Sequence, residues 1–254
     1  MANAKFKRRS EIVRIVREKK QMSCVELSKT FGVTEETIRK DLQELSEKGE
    51  LLRTFGGAMV REYGTERSLD QRIIQNLEQK KRIAQKAVST LKSGDLVAMD
   101  AGSTVTMMAK AIPDHLKITV LTNSLEICNI LSEKENVTVI CTGGKLHKKS
   151  MSLQGMLTES TINSLNAEKA FISCAAFDIK LGVMDSNEEA ARTKQSMIRN
   201  AREVYLLMDS SKIGCIAYIT TCPASSITKV VTDNAAAAEV VKRIEDLGIE
   251  MILA

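Results

Sequence analysis

A chain of 254 residues suits one small plus one medium domain rather than a single small module. Hydrophobic residues make up 43% and aromatic ones only 3%, with no Trp, so the core must be built mainly from Leu, Ile, Val, Met and Ala. The charged fraction of 27% is that of an ordinary soluble protein, and no run reaches the roughly 18–20 apolar residues that span a bilayer.

The net charge of +5 is unevenly spread: residues 1–60 hold 13 Lys/Arg against 9 Asp/Glu, a net +4. Any nucleic-acid surface is therefore expected at the N-terminal end. The first residues run into a charged amphipathic segment with no apolar leader, which predicts a cytoplasmic protein without a membrane partner. The six cysteines, Cys24, Cys128, Cys141, Cys174, Cys215 and Cys222, form no C-x-x-C pair and mostly sit in apolar runs. They read as small buried hydrophobes in a reducing compartment. With only His115 and His147 beside them, neither a metal site nor a cofactor is expected.

Between Lys7 and Lys19, Ile12, Val13, Ile15 and Val16 fall on one face of a helix whose other face carries Arg14, Arg17 and Glu18. Ser23 and Glu26 then form a capping box that opens a short second helix, stopped by Gly32, with Leu27 and Phe31 facing inward. Thr34 caps a third helix with a stripe of Ile38, Leu42 and Leu45, closed by Gly49. Two helices joined by a tight glycine-containing turn make a helix-turn-helix, whose second helix enters the DNA major groove. The candidate DNA contacts are Thr34, Glu35, Thr37, Arg39 and Lys40, which lie outside the apolar stripe, together with Ser23. Arg39 has the geometry for bidentate contact with guanine, and Lys40 suits a phosphate. Leu51 to Ala58, with its Gly-Gly turn, reads as a wing on which Arg53 reaches the DNA backbone or minor groove. Pattern alone leaves open a protein-interaction module, since Glu35 and Glu36 dilute the positive potential.

Residues 61–78 read as a charged linker running into a helix, and the cluster Lys80-Lys81-Arg82 as a solvated helix face. Beyond Gly94, apolar strands alternate with helices. The strands are expected at Leu96–Asp100, Ile118–Thr122, Val137–Cys141, Ala170–Cys174, Val204–Met208, Val230–Thr232 and Ile249–Leu253. The helices are expected at 104–111, 124–134, 157–166, 188–201 and 235–247. Strands buried on both faces and alternating with helices predict an α/β domain with a largely parallel sheet over residues 79–254, behind a winged helix-turn-helix over 1–60.

Chemistry in such a sheet gathers at the C-terminal strand ends. Four polar loops lie there. Asp100, Gly102, Ser103 and Thr104 open a helix whose N-terminus suits a phosphate. Thr122, Asn123 and Ser124 repeat the arrangement, Gly143 and Gly144 permit close backbone approach, and Lys212 supplies a cation. Each motif alone is equally an ordinary cap or turn; four at one edge predict a polar pocket. Lys145, His147, Lys148 and Lys149 form a further basic run, read as a solvated loop.

The motifs from Arg8-Arg9 through Phe31-Gly32-Val33-Thr34, Thr37-Ile38-Arg39-Lys40-Asp41-Leu42 and Leu52-Arg53-Thr54-Phe55-Gly56-Gly57-Ala58 resemble the signature of DeoR-type bacterial regulators of sugar metabolism. The family commonly carries Arg-Arg before the Asp, where this chain has Arg39-Lys40. The resemblance extends over roughly residues 5–250 through Asp100-x-Gly-Ser-Thr, Thr122-Asn123-Ser124, Gly143-Gly144 and Asp209-x-Ser-Lys212. It implies a repressor that binds double-stranded operator DNA, and an effector domain similar in fold to ribose-5-phosphate isomerase. It further implies a phosphorylated sugar or related effector, with Ser103 and Thr104 holding phosphate, Asp100 and Asn123 sugar hydroxyls, and Lys212 an anionic or carbonyl oxygen.

The chain departs from the family at Ala175-Ala176, where an Asp-Gly pair is common; Phe177 is expected to present bulk toward the pocket. The competing reading is a sugar-phosphate isomerase with an accessory helical domain. Against it, Cys174-Ala175-Ala176-Phe177 stands where related isomerases place an acidic cluster, leaving only Asp178. Redox sensing has little support in the cysteine spacing. Winged heads usually read two half-sites, so a homodimer or homotetramer is expected.

Overall fold

The computed structural model describes residues 2–19, 21–47, 51–54, 56–59 and 67–254. Gly49, Phe55 and the stretch 60–66, on which parts of the third helix, the wing and the linker were expected to fall, lie outside the described residues.

The N-terminal unit consists of α1 (Ala2–Lys19), β1 (Gln21–Ser23), α2 (Cys24–Phe31), α3 (Glu35–Glu47), β2 (Leu52–Thr54) and β3 (Gly57–Met59). The expected capping box is present: the Glu26 backbone N–H donates to Ser23 Oγ at 3.1 Å, and the Ser23 N–H to Glu26 Oε2 at 2.8 Å. Gly32 ends α2 in the left-handed conformation, φ 62°. Ile12, Val16, Leu27, Ile38 and Leu42 are fully buried together, each contributing about 1.5–3 kcal/mol of hydrophobic free energy. The three strands pair antiparallel in the order β1-β3-β2. Gly57 stands where β3 crosses β1. A Cβ there would lie 2.0 Å from the Met22 carbonyl oxygen, so only glycine permits the crossing.

Two helices lead into the larger unit, α4 (Leu69–Ile74) and α5 (Leu77–Val88). A second capping box, Ser68 with Gln71, opens α4 inside the segment read as linker. The chain then continues as β4 (Leu96–Met99), α6 (Ser103–Ala111), β5 (Ile118–Thr122), α7 (Leu125–Ser132), β6 (Val137–Cys141), β7 (Lys145–His147) and β8 (Ser152–Gln154). Next come α8 (Met156–Asn163), β9 (Ala167–Ile172), β10 (Ala176–Asp178), β11 (Gly182–Asp185), α9 (Glu188–Arg199) and β12 (Ala201–Leu207). The chain closes with β13 (Ile219–Cys222), β14 (Lys229–Thr232), α10 (Ala238–Glu245) and β15 (Glu250–Leu253).

Seven of these strands form one parallel sheet in the order β15-β14-β12-β9-β4-β5-β6. Along β12 and the residue that follows it, Val204, Leu206 and Met208 enter one core while Tyr205 and Leu207 enter the other. This is why the strands read as continuous apolar runs: both faces are covered. Helices α5, α6 and α7 supply one core layer, and α8, α9 and α10 pack on the other. Chain order reverses between β4 and β9, which are adjacent in the sheet although seven elements of chain lie between them. A crevice at the carboxyl ends of these two strands is the topological switch point of the sheet.

The expected strands are present, with shifts at their ends: β9 begins three residues earlier than the apolar run, and α10 begins at Ala238 rather than 235. Two small antiparallel sheets were not legible, β7-β8 and β10-β11-β13. Two burial expectations are corrected. Cys141 is exposed at the end of edge strand β6, and Phe177 is fully buried in the core beside Val183 and Ile213 rather than turned toward a pocket. In β10 it is the flanking alternation that points Phe177 inward.

Candidate functional site

In the N-terminal unit, α3 is fastened to α1 by charge. Asp41, 1% exposed, accepts hydrogen bonds from Arg8 Nε at 2.6 Å and Arg9 Nε at 2.7 Å, and Arg9 also pairs with Glu44. Arg8, Arg9 and Asp41 thus join α1 to the second helix of the motif. Its outer face presents Thr34, Arg39 and Lys40 as exposed residues, with Glu35 and Thr37 half-buried. Thr34 Oγ1 caps the helix by accepting from the Thr37 N–H at 3.3 Å and lies 3.0 Å from the Thr37 hydroxyl. Arg39 pairs with Glu35 at 2.9 Å and Lys40 with Glu36 at 3.5 Å. Such exposed i,i+4 pairs contribute about 0.3–0.5 kcal/mol and exchange readily for a phosphate or a base. Arg53 extends from β2 and donates to Gln43 of α3, tying the wing to the helix. The Ser23 hydroxyl is committed to Glu26 at 2.7 Å.

At the switch point, the Asp100 N–H donates to the Phe171 carbonyl at 3.0 Å. Its carboxylate accepts from both the N–H and the hydroxyl of Ser173 at 3.2 Å. The two strand ends come so close at Gly102 that a Cβ would lie 1.9 Å from Ser173 Oγ. Behind Asp100 stands Lys194 of α9, which pairs with Asp185 and lies 3.6 Å from Asp100 Oδ2. Thr221 donates to the second oxygen of Asp185 at 2.6 Å. Burial alone would lower the Lys194 pKa, but Asp100 and Asp185 outweigh it and hold the ammonium raised above its ordinary value. Asp185 and Lys194 carried no sequence signal: each is separated from the loops it serves by a strand or a helix.

A cavity of about 1270 Å³ opens here, lined by Asp100, Ser103, Asn123, Gln154, Lys194 and Lys212 among others. Asn123, 3% exposed, donates from Nδ2 to the Leu153 carbonyl at 3.0 Å, while its Oδ1 has no partner among the described residues. Gln154 Oε1 is likewise buried and unpartnered among the described residues. Lys212 donates to the Cys174 carbonyl at 2.6 Å. Among the described residues no side chain caps the N-terminus of α6, where Gly102 is the cap residue, and the fully buried Thr104 hydroxyl lacks a partner. The cavity extends toward the wing, where Met59 Sδ meets Cys215 Sγ at 3.9 Å.

The structure thus brings Asp100, Ser103, Asn123 and Lys212 onto one wall. Thr122, Ser124, Gly143 and Gly144 stand behind it. Thr122 donates to the Met99 carbonyl at 2.7 Å, Ser124 caps α7, and the Gly143 carbonyl accepts from Thr158 at 2.7 Å. Ala175 and Ala176 line the cavity with small side chains, and Lys145, Lys148 and Lys149 are exposed on the β7-β8 hairpin. The basic cluster on α5 divides: Lys81 and Arg82 are exposed, but Lys80 is 3% exposed and faces the cavity. Among the described residues no helix is long and apolar enough to cross a membrane.

Comparison with known proteins gives two family matches that together account for most of the chain. Residues 8–63 match the DeoR-like helix-turn-helix domain, and residues 75–234 the DeoR C terminal sensor domain. The chain is 38% identical over 245 residues to the uncharacterized HTH-type transcriptional regulator YulB of Bacillus subtilis, covering 96% of this chain and 95% of that one. It is 29% identical to the glycerol-3-phosphate regulon repressor of Escherichia coli, covering 97% and 98%. Among solved structures, ribose 5-phosphate isomerase A from Methanocaldococcus jannaschii matches at a TM-score of 0.42 and 16% identity, over 54% of this chain and 55% of that one. That likeness is too slight to bear on chemistry. The two domain matches and the full-length relatives establish that this chain belongs to the DeoR family of helix-turn-helix transcriptional regulators.

Proposed function

We propose that the chain is a repressor that binds operator DNA as a homodimer or homotetramer and is released when a phosphorylated sugar or polyol enters the cavity at the switch point. The observation that carries this reading is the cavity's unmatched polarity. Asn123 Oδ1 and Gln154 Oε1 are buried acceptors without donors, and Asp100 stands beside them. Buried polar groups are normally paired, so a ligand rich in hydroxyl donors completes them. Lys212 and the uncapped start of α6 suit its anionic end. The relatives' names point the same way, one to a glycerol-3-phosphate regulon and another to a lactose phosphotransferase system.

An effector shifts only states that it binds unequally. It must therefore prefer the arrangement of heads that does not fit the operator. Catalysis is disfavoured because the carboxylates at the cavity among the described residues are engaged: Asp100 by Ser173 and Lys194, Asp185 by Lys194 and Thr221, Asp209 by Asn76, and Glu26 by Ser23. None is positioned as a free general base.

The test is fluorescence anisotropy of labelled DNA from the gene's own upstream region, titrated at fixed salt with a panel of sugar phosphates. One compound is expected to release the protein, and Lys212→Met to lose that response while still binding DNA. Failure of every compound to alter DNA affinity, or turnover of a sugar phosphate, refutes the proposal.

A further inference from the structure

Six cysteines stand along the chain with no paired spacing, but the fold brings two of them side by side. Cys128 lies near the start of α7, and Cys141 ends β6 thirteen positions later. The crossover from β5 to β6 runs α7 back along the sheet, so its first residues lie over the carboxyl ends of both strands. Val137 and Val139 of β6 share one core with Ile127, Ile130 and Leu131 of α7. Strand side chains alternate, so Cys141 falls on that same α7 face.

The two thiols differ in access. Cys141 is exposed at the sheet edge, while Cys128 is half-buried. Burial, with the hydrogen bond and charge of Cys141 adding to it, pushes the Cys128 thiol up to about 12. A thiol held protonated is slow toward oxidants, so the exposed sulfur is the one that reacts first. The remaining cysteines, Cys24, Cys174, Cys215 and Cys222, are all buried. Two of them have methionine sulfurs as neighbours at 3.9 Å, Met208 beside Cys174 and Met59 beside Cys215. Among the described residues, Cys128 and Cys141 thus combine an open thiol with a second thiol at hand.

We propose that Cys128 and Cys141 form a peroxide-sensitive dithiol, in which Cys141 is the sulfur that a hydroperoxide oxidises and Cys128 the one that resolves it to a disulfide. In the first step the Cys141 sulfur attacks one oxygen of hydrogen peroxide. An S–O bond forms, the O–O bond breaks, and the thiol proton leaves with the other oxygen as water. In the second step the Cys128 sulfur attacks the Cys141 sulfenic acid. The S–S bond forms, the S–O bond breaks, and the departing hydroxide takes the Cys128 proton as a second water. The two thiols together lose two electrons and two protons, and one peroxide becomes two waters. Proximity of the resolving sulfur compensates for its low ionisation. The disulfide staples the start of α7 to the end of β6. Those two points flank the loops that meet where the Thr142 N–H donates to the Thr122 carbonyl at 3.1 Å, so oxidation braces the wall that carries Asn123. None of this depends on which ligand enters the cavity.

The experiment treats the reduced full-length protein with hydrogen peroxide, blocks remaining thiols with N-ethylmaleimide, and maps the tryptic peptides by mass spectrometry without reduction. Cleavage after Lys117, Lys134 and Lys145 separates the two cysteines into peptides 118–134 and 135–145. A species joining those two peptides is expected to dominate, with a rise in melting temperature, and dithiothreitol is expected to reverse both. Cys128→Ser is expected to stop at the Cys141 sulfenic acid, trapped by dimedone, with no rise in melting temperature. Cys141→Ser, a change at an exposed position, is expected to leave Cys128 as a free thiol under the same treatment. The proposal is overturned if peroxide leaves Cys128 and Cys141 alkylatable in the wild type. It is equally overturned if Cys141 instead bridges to Cys141 of a second copy, seen as a covalent dimer on a non-reducing gel, or if Cys128 oxidises as readily in Cys141→Ser.

Discussion

Replacing Asp41 by Ala tests whether the α1–α3 clamp holds the reading helix. The Asp41 carboxylate is 1% exposed and receives two charge-assisted bonds, from Arg8 at 2.6 Å and Arg9 at 2.7 Å. Each such bond contributes about 1.5–3 kcal/mol. Removing one partner of a buried ion pair costs about 3–5 kcal/mol, because the other charge is left behind. Two features moderate the loss here. The Arg8 side chain is 20% exposed and rehydrates, and Arg9 retains Glu44. A loss of about 3 kcal/mol follows, which is roughly a hundred-fold in the folded-to-unfolded ratio of the N-terminal unit. The chain has no Trp, so urea unfolding of the full-length protein is followed by far-ultraviolet circular dichroism, with operator affinity measured in parallel. Glu44→Ala, which removes a far more exposed carboxylate, is the control and is expected to change little. If Asp41→Ala costs less than about 1 kcal/mol and binds DNA like the wild type, the clamp is not what sets the helix and the reasoning fails.

Arg39→Ala is expected to weaken operator binding by about 1–3 kcal/mol with relaxed specificity at one base position, as for a residue that reads a base. A uniform loss across sequences with a shallower salt dependence would assign Arg39 to a phosphate instead. Lys194→Met strands Asp100 and Asp185 and is expected to cost about 3–5 kcal/mol at pH 7. In the wild type the raised Lys194 pKa means that its contribution is complete below the unfolded lysine pKa and is lost only as pH rises through the folded value, so no change is expected between pH 6 and 9. In the variant the stranded carboxylates favour protonation, so part of the loss should return between pH 7 and 5. An equal deficit at both pH values argues against the ion triad.

The local signals in this sequence proved the strongest where one short segment contains both partners. The Ser23–Glu26 box, the Gly32 stop and the stripe Ile38, Leu42, Leu45 involve residues three to seven apart, so helix geometry alone fixes their relation. Continuous apolar runs predicted a covered parallel sheet for the same reason: with both faces buried, no strand needs polar alternation. The loops at the strand ends were legible because a parallel sheet gathers all its carboxyl ends on one edge.

Side chains that reach a site from elsewhere left no such trace. Lys194 meets Asp100 across 94 positions of chain, and its helix reads as an ordinary amphipathic one. Asp41 looks like any acidic residue on a helix until Arg8 and Arg9 arrive from α1. The runs Lys80-Lys81-Arg82 and Ala175-Ala176-Phe177 show the limit most plainly. In each, neighbouring residues of similar type go to opposite fates, Lys80 inward and Lys81 outward, Ala176 to the cavity and Phe177 to the core. Sequence determined that a reading head, a covered sheet and a polar edge would form, since those follow from periodicity and turn chemistry. Which charges the edge contains was decided only by packing, because a side chain's environment is set by what the rest of the chain brings against it.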